Sequence, residues 1–313
     1  MAIAAMAAGA MAAAATELEA LLARAERILA RLEAVLPGPA AAPDWQAAHA
    51  FLWRRRYGRA SLQAVTALSR IRLRDLRDID EQKARIDRNT RQFLAGRRAN
   101  NVLLTGARGS GKSSLVKALL NEYADRGLRV IEVDKGDLVD LPEIMELLAG
   151  RPERFIVFCD DLSFEEGEAG YKALKSALDG SMSGMADNVL LYATSNRRHL
   201  MPEYHDENMP VRHAGGEIHP GEAVEEKVSL SERFGLWLSF YPFGQDEYLD
   251  IAAHWLEMFG APPARIAAAR QEALQWALMR GSRSGRVAWQ FARDYAGRFD
   301  DDGDGEGAGP DRP

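Results

Sequence analysis

Five short runs of nearly continuous apolar residues punctuate the middle of the chain, at Asn101–Thr105, Arg129–Asp134, Arg154–Asp160, Asn188–Thr194 and Leu236–Tyr241. Unbroken apolar runs of this length suit strands covered on both faces, as in a parallel sheet. Helical spacing appears between them at Lys112–Arg126, Leu141–Ala149 and Ala169–Asp179. It returns near Asp246–Phe259, Ala264–Arg280 and Ser284–Arg298, after the strands cease at Pro242. The pattern predicts an α/β core followed by a helical unit. Upstream, Leu18, Leu21, Leu22, Ala25, Ile28, Leu29, Leu32 and Leu36 recur at helical spacing until Pro37, Gly38 and Pro39 stop them. Pro43 and Asp44 open a second stretch, also read as helical, that holds Trp45, Phe51 and Trp53.

Residues 106–113 read Gly-Ala-Arg-Gly-Ser-Gly-Lys-Ser and lie between the first predicted core strand and a predicted helix. This matches the phosphate-binding pattern G-x-x-x-x-G-K-[ST] in its required context. Glycines let successive backbone N–H groups turn toward phosphates, and the helix N-terminus favours negative charge. Gly106, Ala107, Arg108, Gly109, Ser110 and Gly111 are therefore expected to cradle a nucleotide, with Ser114 at the same helix start. Lys112 is expected to reach the β and γ phosphates, and to face open space when none is bound. Ser113 is expected to offer its hydroxyl to Mg²⁺, a cation that prefers hard oxygen ligands. The strand Arg154–Asp160 ends in two carboxylates. Asp160 suits the magnesium-facing acid and Asp161 the residue that orients or deprotonates an attacking water.

Composition narrows the class without naming a task. The 313 residues are 47% hydrophobic and 27% charged, enough for a substantial core. No run of about eighteen strongly apolar residues suggests a membrane span. The single cysteine, Cys159, reads as a small buried hydrophobe and cannot form an internal disulfide, so a cytoplasmic location is expected. The net charge of −6 is uneven, because residues 1–100 hold 17 basic against 10 acidic residues. Arg54, Arg55, Arg56 and Arg59 beside Trp53 are the best nucleic-acid candidate, although a solvated face or an intersubunit patch is the more ordinary reading. The stretch 201–230 is long for a loop in a compact domain. Its His205, His213 and His219 match no compact zinc spacing, and Glu165 and Glu166 read as an exposed turn.

Further segments supply a resemblance. The strand VLLYATSN ends in Ser195 and Asn196 and resembles the sensor-1 segment of AAA+ ATPases. LSERFGLWLSF places Arg233 as in an AAA+ arginine-finger segment, and GSRSGR places Arg286, with Arg283 as its rival, at a sensor-2 position. Asp75–Gln82 resembles the segment flanking the adenine. More closely, NVLLTGARGSGKSSLVKALLNEY, RFIVFCDDLSFEEG, ATSNRRHLMPEY and RGSRSGRVAWQFARDYAG resemble a bacterial AAA+ family known as domain of unknown function 815. The resemblance covers roughly residues 70 to 299.

It implies an AAA+ P-loop fold with a parallel five-stranded sheet in the order 5-1-4-3-2. The implied organisation is a helical extension at 1–69, a nucleotide-binding core at 70–243, a helical lid at 244–299 and an acidic tail at 300–313. It also implies an ATP hydrolase using ATP and Mg²⁺, with Asp160, Asp161, Asn196, Arg233 and Arg286 in catalytic roles and Ser113 and Asp160 as metal-facing residues. The implied partners are further copies of the chain in a ring or helical assembly and a protein client. A slowly hydrolysing switch or loader acting on nucleic acid is the alternative. Two departures stand out. Asp161 replaces a commoner Glu, so slow turnover is expected, and a glycine of the adenine segment is replaced around Asp78.

Overall fold

The computed structural model describes residues 18–31, 43–56, 59–164, 168–179, 186–197 and 230–301. Residues up to Pro43 form a unit apart from Asp44 onward. The first unit contains helix α1 (18–31), whose Leu18, Leu21, Leu22, Ile28 and Leu29 are all at least half exposed. The 201–230 insert up to Ser229, its three histidines, Glu165, Glu166 and the tail from residue 302 lie outside the described residues.

The second unit is built on one sheet. The five strands anticipated from the apolar runs are β3 (Val102–Gly106), β4 (Leu128–Glu132), β5 (Arg154–Cys159), β6 (Val189–Ser195) and β7 (Leu236–Phe240), all parallel. The sheet nevertheless has seven strands, in the order β2-β1-β4-β5-β6-β3-β7, so the five-stranded sheet is corrected. The additional pair is a hairpin, β1 (Ala50–Arg56) and β2 (Arg59–Ala64), with β1 parallel to β4.

This hairpin also replaces the second helix expected after Pro43. Asp44 accepts the N–H groups of Gln46 and Ala47 and closes a short turn, after which Phe51 and Trp53 point to the same face and are buried. Alternation of period two governs here, and the helical reading rested on wider aromatic spacing. Trp45 packs against Phe51 and Phe155, with ring centroids 4.6 and 4.9 Å away. The hairpin thereby covers an edge strand that would otherwise expose unpaired backbone groups.

Alternate residues of the buried strands feed two cores. Leu104, Ile156, Tyr192 and Leu238 face α2 (Asp80–Leu94) and α3 (Lys112–Tyr123). Leu103, Val157 and Leu191 face α4 (Leu141–Leu148) and α5 (Ala169–Asp179). Helix α2 is absent from the sequence reading, although its buried Ile86, Asn89, Thr90 and Phe93 follow helical spacing. The first core continues into α6 (Gln245–Met258), α7 (Pro263–Met279) and α8 (Gly285–Asp301). Ala269, Ala273 and Ala277 keep one face of α7 small, and the Tyr248 hydroxyl donates to the Ala273 carbonyl at 3.0 Å. No helix among the described residues is long and apolar enough to cross a membrane.

Buried Asp140 anchors the hairpin. It accepts the Trp53 indole N–H at 3.0 Å and pairs with Arg55, while Arg54 pairs with Asp134. Asp140→Ala should therefore cost roughly 1–3 kcal/mol, because it strands the indole donor while the half-exposed Arg55 can turn to water. Urea unfolding at unchanged m-value checks this, and a loss below about 0.5 kcal/mol would show that the hairpin is held elsewhere.

Candidate nucleotide site

Strand β3 runs directly into the phosphate loop, and the loop is clamped from two sides. Gly106 has φ +129°, and a Cβ there would lie 1.9 Å from the Phe240 carbonyl oxygen of β7. Gly109 has φ +73°, and a Cβ there would lie 2.8 Å from Ser284 Oγ at the entry to α8. Only glycine satisfies both the positive φ and the close approach. The Ser110 hydroxyl donates to the Ala107 carbonyl at 2.8 Å, and α3 begins at Lys112.

Lys112 does not face open space, contrary to expectation. It is only 5% exposed, and its Nζ donates to the carbonyls of Gly106 and Ala107, each at 2.8 Å, and to Asn196 Oδ1 at 3.0 Å. The ammonium is folded back into the loop, where three acceptors replace part of its hydration. Burial lowers its pKa to about 8, against the pull of Asp160 and Asp161.

One oxygen of Asp160 organises the neighbouring strand ends. Ser113 Oγ donates to it at 2.5 Å and Thr194 Oγ1 at 2.6 Å. Asp161 adopts φ +51°, a conformation that Asp tolerates, and its N–H donates to Thr194 Oγ1 at 2.9 Å. Its carboxylate accepts Asn196 Nδ2 at 2.5 Å and lies 3.9 Å from Arg108. Thr194 was missed in the sequence, where it sits one residue before the recognised Ser195. Ser113 and Asp160 present hard oxygens side by side at the end of the loop, a donor set that fits Mg²⁺, which usually takes only one or two carboxylates with the rest from phosphate and water. No compact group of three or more His, Cys, Asp or Glu occurs among the described residues, so an all-protein metal cage is not formed there.

The arginines separate clearly. Arg286 lines the same cleft as Gly109, Lys112, Asp160, Asp161 and Asn196. Arg283 instead lines an adjoining cavity with Arg108 and Tyr241. Arg233 lies outside both and pairs with Asp179 at the end of α5. Leu76 and Ile79, from the segment predicted to flank the adenine, lie beside the loop, where a Cβ at Gly111 would meet them at 3.8 and 3.6 Å. The departure near Asp78 has a backbone expression, because Asp78 adopts φ +58° where a glycine is at ease. Burial raises the Asp78 pKa, reinforced by Asp250, Glu247 and Asp80.

The Lys112 shift fixes two slopes of opposite sign. Bound phosphates favour the ammonium form, so ADP affinity should fall as pH rises from 8 to 9, by up to about ten-fold, and Lys112→Arg should flatten that fall. Without nucleotide, the unfolded lysine holds its proton to an ordinary 10.5 while the folded one releases it near 8. The Lys112 contribution to stability should therefore rise with pH between those values. Calorimetric titration and urea unfolding at pH 7, 8 and 9, compared with Lys112→Met, measure both slopes.

A variant of RuvB from Thermotoga maritima aligns over 72% of this chain and 71% of its own, with 14% identity and a TM-score of 0.41. Another T. maritima RuvB structure, described as a Holliday junction branch migration motor, aligns over 70% and 68%, with 15% identity and a TM-score of 0.37. The E. coli MS115-1 HORMA:CdnC:Trip13 complex contains a chain aligned over 71% of this one and 90% of its own, with 12% identity and a TM-score of 0.46. A search of curated proteins finds no match. The family model described as protein of unknown function, DUF815, matches residues 46–299, and the chain belongs to that family.

Proposed function

We propose that this protein is an AAA+-type ATPase that binds ATP with Mg²⁺ and uses its hydrolysis for conformational work on a protein client. The observation that carries the reading is the convergence of Lys112, Ser113, Asp160, Asn196 and Arg286 on one cleft between the sheet and the helical lid. Phosphoryl transfer needs positioning and charge compensation more than covalent help, and this set supplies both.

On binding, Lys112 exchanges its two loop carbonyls for phosphate oxygens, regaining favourable charge pairing for an ammonium held in a poorly solvated place. Ser113 and Asp160 would hold the metal, which when bound neutralises charge on the β and γ phosphates. Asp161 accepts a hydrogen bond from the attacking water, and the Asn196 amide, already bonded to Asp161, fixes the direction of that carboxylate. Arg286 enters from the lid, so nucleotide binding draws α8 toward the loop. The shorter Asp161 side chain, held at a positive φ, fits slow turnover by one subunit.

Arg233 lies outside the cleft, paired with Asp179, and in this reading it completes a neighbour's cleft within a homo-oligomer. Such an arginine contributes roughly 10³–10⁵ in rate in other P-loop systems. The nucleic-acid alternative loses support at the basic cluster, since Arg54 and Arg55 are paired with Asp134 and Asp140.

Asp160→Asn should bind ATP yet lose most Mg²⁺-supported turnover. Arg233→Ala should also bind ATP and turn over slowly, and mixing it with Lys112→Ala should restore activity above the sum of the separate proteins. ATPase assays across protein concentration measure this. Full activity of Arg233→Ala, with specific activity flat in concentration, would point to a monomeric P-loop enzyme instead.

A further inference from the structure

The cleft that holds the phosphate loop is larger than a nucleotide requires. Its volume of about 1970 Å³ is roughly twice the upper end usual for a small-molecule site. Two helices carry it outward. Along α3, Lys117 lies four residues, about 6 Å, beyond Ser113 on the same face. Along α8, Arg293 lies seven residues, about 10 Å, beyond Arg286. Asn121, one further turn up α3, donates to the carbonyls of Ser69 and Ile71 at 2.6 and 2.8 Å and so fixes Arg70 beside this wall.

Lys117, Arg70 and Arg293 thus line the same cleft as the phosphate loop, and none forms an ion pair among the described residues. The acids lining the cleft are Asp160 and Asp161 at the loop end and Asp75, which is buried and bonded to the Arg72 N–H at 2.8 Å. Lys117, Arg70 and Arg293 are exposed side chains that share this cleft, and with no ion pair of their own their donors are available to an anion. Arg293 is also set over the Trp289 ring at 5.3 Å, and Trp289 lines the same cleft. A planar guanidinium on an aromatic face keeps its donor edge free for phosphate oxygens.

We infer that the outer half of the cleft is a second phosphoryl subsite, formed by Lys117, Arg70 and Arg293, for a nucleotide phosphorylated on its ribose as well as at its 5′ end. The inference rests on the nucleotide reading of the phosphate loop. A nucleotide held by its 5′ phosphates at Ser113, with its base against Leu76 and Ile79, carries its ribose past the next turn of α3. Lys117 stands one turn along, comparable to the span of a ribose. Occupying both subsites would tie α3 to α8, and hence the core to the lid, at two points.

Calorimetric titration of the full chain with ADP and with its 3′-phosphorylated counterpart, at fixed ionic strength, tests this. The 3′-phosphate should tighten binding roughly ten-fold. Lys117→Ala, Arg70→Ala and Arg293→Ala should each remove most of that gain while leaving ADP affinity within about two-fold, and Arg293→Lys should keep part of it. ADP binding with no gain from the 3′-phosphate overturns the inference and leaves the ATPase reading intact. Pyrophosphate binding to the ADP-saturated protein, lost in the same variants, would overturn the ribose assignment in favour of a separate phosphate. A short single-stranded oligonucleotide that depends on these residues, with no 3′-phosphate gain, would overturn it in favour of nucleic acid. Failure of the parent to bind either nucleotide would remove the nucleotide reading and this inference together.

Discussion

A lysine ammonium buried in the floor of its own loop sets the terms for the rest of the structure. Burying a cation is costly unless hydrogen bonds replace its water, and Lys112 finds three acceptors in Gly106, Ala107 and Asn196. Two of these are backbone carbonyls, in a loop that takes positive φ at Gly106, Gly109 and Gly111. The third comes from the end of β6, so the register of β6 against β3 bears on the charge state of the site. The loop is also pressed by β7 at Gly106 and by the entry to α8 at Gly109. Sheet, loop and the entry to α8 therefore share one constraint.

The acidic side of the cleft answers this cation at short range. Asp160 gathers two hydroxyls, and Asp161 takes a left-handed backbone to bring its carboxylate against Asn196. Asn196 thereby bonds both Lys112 and Asp161, linking the phosphate-binding residue to the water-orienting residue of the proposed reaction. Asp161 sits where the turn and its hydrogen bonds place it, whatever rate that position supports.

Much of this was legible along the chain, for physical reasons. Buried parallel strands must be apolar throughout, so β3 to β7 announced themselves, and a phosphate loop can be built from few residue types. The hairpin was less visible. Its Phe51 and Trp53 alternate over too short a run, and the turn around Asp44 resembles a helix start. Helix α2 carries polar residues at buried positions, Asn89 and Thr90, which bond the Tyr192 hydroxyl at 3.2 and 2.9 Å and disguise its inner face. The choice between Arg283 and Arg286 depends on how α8 meets Gly109, and spacing alone does not encode that meeting. The inward fold of Lys112 depends on acceptors from three separate positions, so no local pattern reveals it.

Amide hydrogen exchange of the full chain with and without ATP and Mg²⁺ tests the central claim most directly. The account predicts added protection at 106–114, at 160–161 and at 284–290, where loop, acids and lid converge, with little change in the hairpin at 50–64. Protection confined to the hairpin, or unchanged exchange across the loop at saturating nucleotide, would contradict it.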